Sequence, residues 1–584
     1  MSKQVEIIVE PDNKRGVFPK GTTLYKALYT LGISMNASCG GFGKCGKCLV
    51  KILKDTLPPR ESDKMFISST MLKEGFRLAC QTKVMKDMRV FVPPETKRRV
   101  SQTIYGRGKR VTVDPLIKKI YLKLPFLTIS GDFAYFDMVK KRIGDKLHPN
   151  LDVLRETTCI SKEATFVTYK NEIICIEEGD TTSMSYGIAV DIGTATITAL
   201  LIDLLTGNII SRAFSVNPQA AFGEDVISRI ANALNRYGLR DLQTSVKGGI
   251  NLVLNELIET SGIERKYIYE VVFVGNTGMH HLFLGIPPNS LAVSPYIPLM
   301  RESLYIKATD IDIDFPSYTR CYIFPNIAGF VGGDTVGAVM SSGMLRSKKT
   351  KLLIDIGTNG EIVLSSKERV CAVSCAAGPA FEGVRLSCGM PASKGAIEGV
   401  DIEGENIRLK VIGGEGPKGI CGSGIIDVLA QLLRMGVIDK TGGLKRNDKI
   451  IPTKEGLVFP LTENIYISQG DIRQLQLAKA ALRAGIEILK KHMKIKDNDI
   501  DEVLIAGAFG NFLRRESLTE IGIIPRLLSE KVNFIGNAAL EGARLALLSK
   551  KMRREAENIS KKVEYLELMG RKDFQEEFLS AMSF

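Results

Sequence analysis

The chain has 584 residues, too many for one hydrophobic core, and that length predicts about three to four domains. Hydrophobic residues make up 44% and charged residues 25%, the balance of a folded protein and not of a disordered or fibrous one. The formal charge is +14, but lysine and arginine are spread along the chain without interleaved aromatics, and tryptophan is absent; this predicts no nucleic-acid partner but a solvated surface or a docking face for an acidic protein.

No apolar run approaches the roughly 18 residues that cross a bilayer, so no membrane partner is expected. The opening "MSKQVEIIVE" has no apolar h-region, which makes a cytoplasmic protein the expectation. Disulfides are disfavoured there, so the eleven cysteines are read as thiols or metal ligands. Cys39, Cys45, Cys48 and Cys80 form one pattern, while the other seven are scattered without a C-x-x-C and are read as core or strand thiols.

In chain order, Val5, Ile7 and Val9 alternate as in a half-buried strand. Leu24, Ala27, Leu28 and Leu31 then recur at helical spacing, with Thr22 or Thr23 to cap the helix. The loop "SCGGFGKCGKC" follows, then strands in "CLVKIL" and "MRVFVPP", with Cys80 between them. The spacing is C-x5-C-x2-C-x31-C. A structural zinc site usually pairs two C-x2-C knuckles, and a cubane cluster wants C-x2-C-x2-C; neither is present. Three cysteines on one loop plus a distant fourth resemble the [2Fe–2S] arrangement of plant-type ferredoxins, with one extra residue in the first gap. Gly40, Gly41, Gly43 and Gly46 let the loop backbone wrap close to the sulfurs. The resemblance covers the first 94 or so residues and implies a β-grasp domain carrying a one-electron centre near about −400 mV.

Residues 95–115 are polar and basic and are read as a linker. Residues 116–183 mix short apolar runs ("IKKIYLKLPFL", "ATFVTY") with a helix around "FDMVKKRIGDKL", enough for a small α/β middle domain. No chemistry is visible in it, so packing or homodimer formation is its expected role.

A larger unit, 184–548, contains one signature twice. "VDIGTATITALLID" and "LLIDIGTNGEIVL" each read as strand, tight turn, strand, and their Asp-Ile-Gly-Thr cores start at Asp191 and Asp355, 164 residues apart. Such a repeat predicts two like halves facing one another. Each aspartate ends an apolar strand, where its carboxylate can hold Mg2+ directly or through water. Gly193 or Gly357 then turns backbone N–H groups toward phosphate oxygens, and Thr194 or Thr358 adds a hydroxyl.

With these hairpins the chain resembles the ATPase superfamily of acetate and sugar kinases, Hsp70 and actin. In that resemblance 191–203 and 352–364 are the two phosphate motifs, and "NIAGFVGGDTVGAVMSSGM" (326–344) and "GNAALEGARLALL" (536–548) are the connecting, crossing helices. "VLIAGAFGNFLR" (503–514) is the adenosine motif, with Gly507 and Gly510 against the nucleoside. The resemblance makes Asp334 the candidate to orient the attacking water, beside a plainer reading as a helix cap.

A ferredoxin-like domain ahead of this ATPase unit resembles the reductive activators of corrinoid proteins over nearly the whole chain. "VVFVGNTGMHHLFLGIPP", "CAAGPAFEGVRLSCGMPASKGAIE" and "GICGSGIIDVLAQLL" carry the likeness further. Residues 549–584 lack cysteine, so the [2Fe–2S] type is implied, and not the type with two cubane clusters in a C-terminal ferredoxin domain. The family implies an α/β multidomain enzyme that couples ATP to the return of inactive Co(II) to Co(I) on a corrinoid protein, with [2Fe–2S], ATP and Mg2+ as cofactors. An upstream electron donor is required and is not identified by the sequence. Two alternatives stay open: an ATP-driven donor to another low-potential enzyme, and a redox-sensing ATP-binding partner.

Three further features are read plainly. His280 and His281 are adjacent, point in different directions on an ordinary element, and are given a structural role. The loop 378–398 borders the nucleotide cleft or presents Ser387 or Ser393 to a docked corrin. The segment 549–584 is read as a solvated amphipathic helical tail.

Overall fold

The computed structural model describes residues 4–31, 33, 35, 43, 46, 48–54, 57–93, 96, 110–123, 134–157, 163–367, 369–383, 386–404, 406–445, 449–453, 456–507 and 513–584. The first elements are β1 (Gln4–Glu10), β2 (Lys14–Pro19), α1 (Leu24–Thr30), β3 (Leu49–Ile52), α2 (Glu61–Phe66), α3 (Ser69–Lys73), β4 (Phe76–Leu78) and β5 (Met88–Phe91). Their five strands form one sheet in the order β2-β1-β5-β3-β4, with β1 and β5 parallel. Alternation places Val5, Ile7 and Val9 on the buried face, and Leu24, Ala27 and Leu28 of α1 close over it. Of the two candidate caps, Thr23 Oγ1 accepts from the Lys26 N–H at 3.4 Å, whereas Thr22 Oγ1 donates to the Pro19 carbonyl at 2.7 Å. Strand β2 was not expected from "KRGVFP", because it runs along a sheet edge and buries little beyond Phe18.

The middle unit comprises β6 (Ile117–Lys123), α4 (Tyr135–Ile143), β7 (His148–Pro149), α5 (Leu151–Glu156), β8 (Glu163–Tyr169) and β9 (Glu172–Glu178). Its sheet runs β6-β8-β9-β7 around a small core of Val139, Val153, Ala164, Phe166 and Ile173. Most of the basic segment 95–115 lies outside the described residues. The unit is anchored to the large one by Lys119, buried with its Nζ 2.6 Å from Glu177 and 2.9 Å from the Tyr269 hydroxyl.

The first half of the large unit contains β10 (Tyr186–Ile192), β11 (Thr196–Asp203), β12 (Ile209–Val216), α6 (Val226–Ala233), α7 (Gly238–Ser261), β13 (Ile268–Gly275), α8 (Thr277–Leu284), α9 (Asn289–Ala292), β14 (Leu304–Lys307), β15 (Arg320–Ile323) and α10 (Gly333–Ser342). The second half begins with β16 (Lys351–Ile356), β17 (Gly360–Ser365) and β18 (Val370–Cys375). Two small sheets follow, β19 (Ala396–Glu403), β20 (Asn406–Val411) and β21 (Gly419–Ile420), then, after α11 (Gly422–Arg434), β22 (Ile451–Thr453), β23 (Gly456–Pro460) and β24 (Tyr466–Ser468). The half closes with α12 (Gln469–Met493), β25 (Glu502–Ala506), α13 (Arg515–Glu520), β26 (Val532–Gly536), α14 (Ala538–Leu548), α15 (Lys550–Lys562), β27 (Glu564–Tyr565) and α16 (Lys572–Ser580).

The repeat seen in the sequence is a repeat of topology. One six-stranded sheet runs β12-β11-β10-β13-β15-β14 and the other β26-β25-β16-β17-β18-β27. In each, an antiparallel meander (β10–β12, β16–β18) continues through two strands parallel to its first member (β13 and β15, β25 and β26). Helices α10 and α14 cross between the sheets at a contact only glycine permits. A Cβ on Gly542 would lie 2.4 Å from Gly337 Cα, and one on Gly337 would lie 2.8 Å from the Ala539 carbonyl oxygen. Gly542→Ala therefore forces the helices apart and is expected to cost about 1–3 kcal/mol, read as a lowered midpoint in thermal unfolding; an unchanged midpoint would place the crossing elsewhere.

The tail is not a solvated helix. Residues 549–584 form two helices around the short strand β27, which pairs with β18, and α16 packs on α12 through Phe574 and Phe578. The amphipathic pattern in α15 was visible, but its polar face includes Arg553, which is buried. Arg553 Nη1 donates to Glu270 Oε1 at 2.6 Å and to the Tyr169 hydroxyl at 3.3 Å, joining the tail, the first half and the middle unit. Arg553→Leu would strand a buried carboxylate and should cost about 3–5 kcal/mol in denaturant or thermal unfolding; wild-type stability would mean that Glu270 is not desolvated.

Candidate functional site

The two Asp-Ile-Gly-Thr hairpins meet where the sheets face each other. A cleft there is lined by Asp191, Gly193, Thr194, Asp355, Gly357 and Thr358 from the hairpins, with Asp334 and Gly507 on its walls. All eight were expected from the sequence; Gly510 lies outside the described residues. The hairpins are not identical. Ile192 pairs with Ile197, but Ile356 pairs with Gly360, so the second turn is one residue shorter. As a result Asp191 faces Thr198 across its ladder, whereas Asp355 faces Glu361, a buried carboxylate that also lines the cleft.

Each turn is fixed from outside. A Cβ on Gly193 would sit 2.8 Å from the Thr196 carbonyl oxygen, so only glycine turns there. The Gly357 N–H donates to the Asn359 carbonyl at 3.0 Å and is committed to the turn, not to a phosphate. Fully buried Arg229 donates to the Thr194 carbonyl at 2.7 Å. Asn276 caps α8 through Oδ1 and donates from Nδ2 to Thr194 Oγ1 at 3.2 Å; Asn537 caps α14 in the same way and donates to Asp191 Oδ2 at 2.7 Å. Thr358 Oγ1 donates to Glu382 at 3.0 Å. Gly507 has φ +123° and donates its N–H to the Gly536 carbonyl at 3.1 Å, bringing bare backbone to the cleft wall.

Four helices begin at this cleft: Asn276, Asp334, Ser423 and Asn537, all on its wall, stand at the N-termini of α8, α10, α11 and α14. Their dipoles make the wall attractive to phosphate oxygens. Asp334 is not a cap, because Gly332 occupies that position; it stands in the first turn of α10 and accepts from the Thr335 N–H at 2.7 Å.

The carboxylates give the cleft its other character. Burial pushes Asp191 up to about 7, with the Asn537 hydrogen bond acting against it and Asp334 adding to it. Burial likewise pushes Asp355 up to about 7, reinforced by Asp334 and Asp191. Asp334 and Glu361 are raised for the same first reason. Carboxylates crowded at the mouth of a phosphate-attracting cleft form the oxygen-rich donor set of a hard divalent cation, so the residues fit Mg2+. Without a cation, the stability that these raised groups contribute is full below about pH 3.8 and is lost as the pH rises through about 7. Asp355→Asn should therefore raise the thermal midpoint of the nucleotide-free protein by a few degrees at pH 8 but little at pH 4.5, while lowering ATP turnover by about 10²–10³-fold; a variant no more stable at pH 8 would show that the carboxylate is not penalised.

The loop 378–398 borders the cleft through Phe381, Glu382, Pro391 and Ala392. Ser387 Oγ lies 3.2 Å from both Ser468 Oγ and Asp471 Oδ1, anchoring the loop on the cap of α12, and Ser393 Oγ donates to the Pro391 carbonyl at 3.3 Å. His280 and His281 are buried in α8, and burial drives His280 down to about 4, which keeps it a neutral packing group. Among the described residues, Cys371, His492 and Glu564 bring three metal-type donors within 4.8 Å of one another. Arg369 Nη2 stands 2.8 Å from Glu564 and 3.1 Å from His492, so a guanidinium already supplies the positive charge, and the network staples β27 to β18.

At the other end of the chain, Cys39 and Cys45 lie outside the described residues. Cys48 and Cys80 are buried with their sulfurs 3.2 Å apart, too far for a disulfide and close enough to share one metal. Gln81 Nε2 points at Cys80 Sγ from 3.6 Å. Gly43 and Gly46 have φ of +71° and +68°, and Cβ atoms there would strike Gln81 and Phe66 at 2.8 Å, so the loop path requires glycine. Asp63 sets the approach of Cys80 by accepting from the Leu78 N–H at 2.9 Å. These residues fit an iron–sulfur cluster.

Sequence reasoning missed Glu361, Asn276, Asn537 and Glu382. The asparagines carried a signal, a Gly-Asn pair between a strand and a helix in both "FVGNTG" and "FIGNAA". Glu361 was signalled by a charge inside an apolar strand.

Comparison with known proteins places the whole chain. Residues 7–85 match the 2Fe-2S iron-sulfur cluster binding domain, 186–347 the RACo middle region, and 349–584 the C-terminal domain of RACo, the ASKHA domain. The chain is 32% identical over 585 aligned residues to the corrinoid activation enzyme RamQ of Eubacterium limosum, covering 95% of each. It is 27% identical over 442 residues to the [Co(II) methylated amine-specific corrinoid protein] reductase of Methanosarcina barkeri, covering 68% of this chain and 77% of that one. Among solved structures, a reductive activator for corrinoid, iron-sulfur protein superposes with a TM-score of 0.77 at 34% identity, covering 99% of this chain and 98% of that one.

Proposed function

Because the chain belongs to the RACo family of corrinoid-protein activators, we propose that it is an ATP-dependent reductase that returns a corrinoid protein from inactive Co(II) to active Co(I). The observation that carries this reading is the full-length match to such activators of a chain holding both a [2Fe–2S] domain and a duplicated phosphate cleft. When bound, the cluster supplies one electron at low potential. Cys39, Cys45, Cys48 and Cys80 hold it; burial of Cys48 and Cys80 keeps water from their sulfurs.

Asp191 and Asp355 hold Mg2+, and Asp334 orients the water that attacks the terminal phosphate. The backbone of the first turn, Thr194 and the four helix N-termini receive the phosphates, the Thr358 hydroxyl being held by Glu382, and Gly507 with Gly510 accommodates the nucleoside. Each ~59 mV of one-electron mismatch between donor and cobalt is a factor of ten to be overcome, and a ligand moves such an equilibrium only through its different affinities for two states. The cleft meets that requirement, since its walls belong to two halves joined at the α10–α14 crossing.

The division of labour is a cluster domain at 1–94, a linker at 95–115, a middle domain at 116–183 and an ATPase domain that runs from 184 through the tail to 584. No described helix is long and apolar enough to cross a membrane, and a cytoplasmic setting keeps the cluster thiols reduced.

The test is anaerobic spectroscopy of a Co(II) corrinoid protein mixed with the reduced protein, with and without MgATP. Co(I) absorption growing only with MgATP is the expected result, and Cys48→Ser or Cys80→Ser should abolish it together with the visible cluster spectrum. An intact cluster that yields no Co(I) with any corrinoid protein tried would favour a different low-potential acceptor or a redox-sensing role.

A further inference from the structure

We propose that Asn537 is a positioning residue for the ATPase reaction, holding the Asp191 carboxylate toward the cleft and tying it to the crossing helices. The inference rests on the ATPase reading above and deepens it. Asn537 stands at the head of α14, in the second half, and Asp191 ends β10 in the first. Its side chain is used at both ends: Oδ1 accepts from the Leu540 N–H at 2.8 Å, and Nδ2 donates to Asp191 Oδ2 at 2.7 Å. An asparagine can do this because its amide carries an acceptor and donors on one rigid plane.

The same device occurs once more at the cleft. Asn276 accepts from the Met279 N–H at 2.9 Å and donates to Thr194 Oγ1 at 3.2 Å, but it lies in the same half as the hairpin it grips. Of these two asparagines, Asn537 is the one whose bond bridges the halves. It also closes a physical circuit. From Asp191 the path runs through Asn537 into α14, across the Gly542–Gly337 contact into α10, and back to the cleft at Asp334 in the first turn of that helix. Any shift of Asp191 toward a bound cation therefore bears on the helix pair that joins the halves.

Substitutions separate the two uses of the side chain. Serine and aspartate are as good as asparagine at a helix N-cap. Serine is too short to reach Asp191, and aspartate offers it no donor. Asn537→Ser should melt within about 2 °C of wild type in the absence of nucleotide. Its ATP kcat/KM, its affinity for a fluorescent ATP analogue and its ATP-induced thermal shift should all fall, the first two by about tenfold or more, as for a lost hydrogen bond to a charged group. Asn537→Asp also keeps the cap, but a carboxylate then faces Asp191, so it should melt below wild type without nucleotide and bind nucleotide more weakly still. Asn537→Ala should lose stability as well, having lost the cap.

Wild-type nucleotide affinity and turnover in Asn537→Ser would overturn the proposal and leave Asn537 a cap only. So would a loss of nucleotide handling in that variant that merely tracked a lower unliganded midpoint. These readouts need no corrinoid protein, so a wild-type protein that forms no Co(I) would defeat the functional reading without touching the result for Asn537.

Discussion

The crowding of carboxylates where two six-stranded sheets meet is the constraint on which the rest of the large domain depends. Asp191, Asp334, Asp355 and Glu361 share one cleft, and burial there favours their protonated forms. Four helix N-termini point into the same space and attract anions. Neither feature is at rest alone: the carboxylates call for a cation, and the helix ends call for phosphate. A magnesium nucleotide answers both at once. Binding a magnesium nucleotide would thus offset the cost of gathering these charges in one cleft.

Coupling is useful only if the electron carrier can respond. Among the described residues, the cluster domain meets the large domain through exposed or half-exposed side chains. Lys26 lies 3.4 Å from Asp241 with both side chains about half exposed, it stands 5.7 Å from the Phe222 ring centroid, and Ala221 touches the cluster-domain core. Exposed ion pairs of this kind contribute about 0–1 kcal/mol. The middle domain is held far more firmly, through buried Lys119 and through Tyr169 at the Arg553–Glu270 pair. Among the described residues, the buried charge contacts thus lie between the middle domain and the large one, and the exposed ones between the cluster domain and the large one.

Much of this was legible in the sequence because the decisive features are local. A strand that ends in Asp-Ile-Gly-Thr writes its turn chemistry into four residues, and a C-x5-C-x2-C loop does the same for a cluster. Elements whose identity is settled by distant partners were harder. Strand β2 has almost no apolar alternation and exists because β1 offers it an edge. The tail read as solvated because Arg553 counts as polar until Glu270, 283 residues away, is known to meet it. Glu361 was hidden by a difference of one residue in turn length, which changes which side chain stands across from the aspartate.

That one-residue difference explains why the halves, alike in topology, are not equivalent in chemistry. In the first hairpin the aspartate faces a threonine across the ladder and is gripped by an amide from the opposite half. In the second it faces a glutamate, with no such donor among the described residues, and its threonine is held by Glu382 instead. The second hairpin thus sets two carboxylates opposite each other, Asp355 and Glu361, where the first sets one opposite a hydroxyl. The two turns are therefore held by different side chains, although the strands that carry them repeat one another.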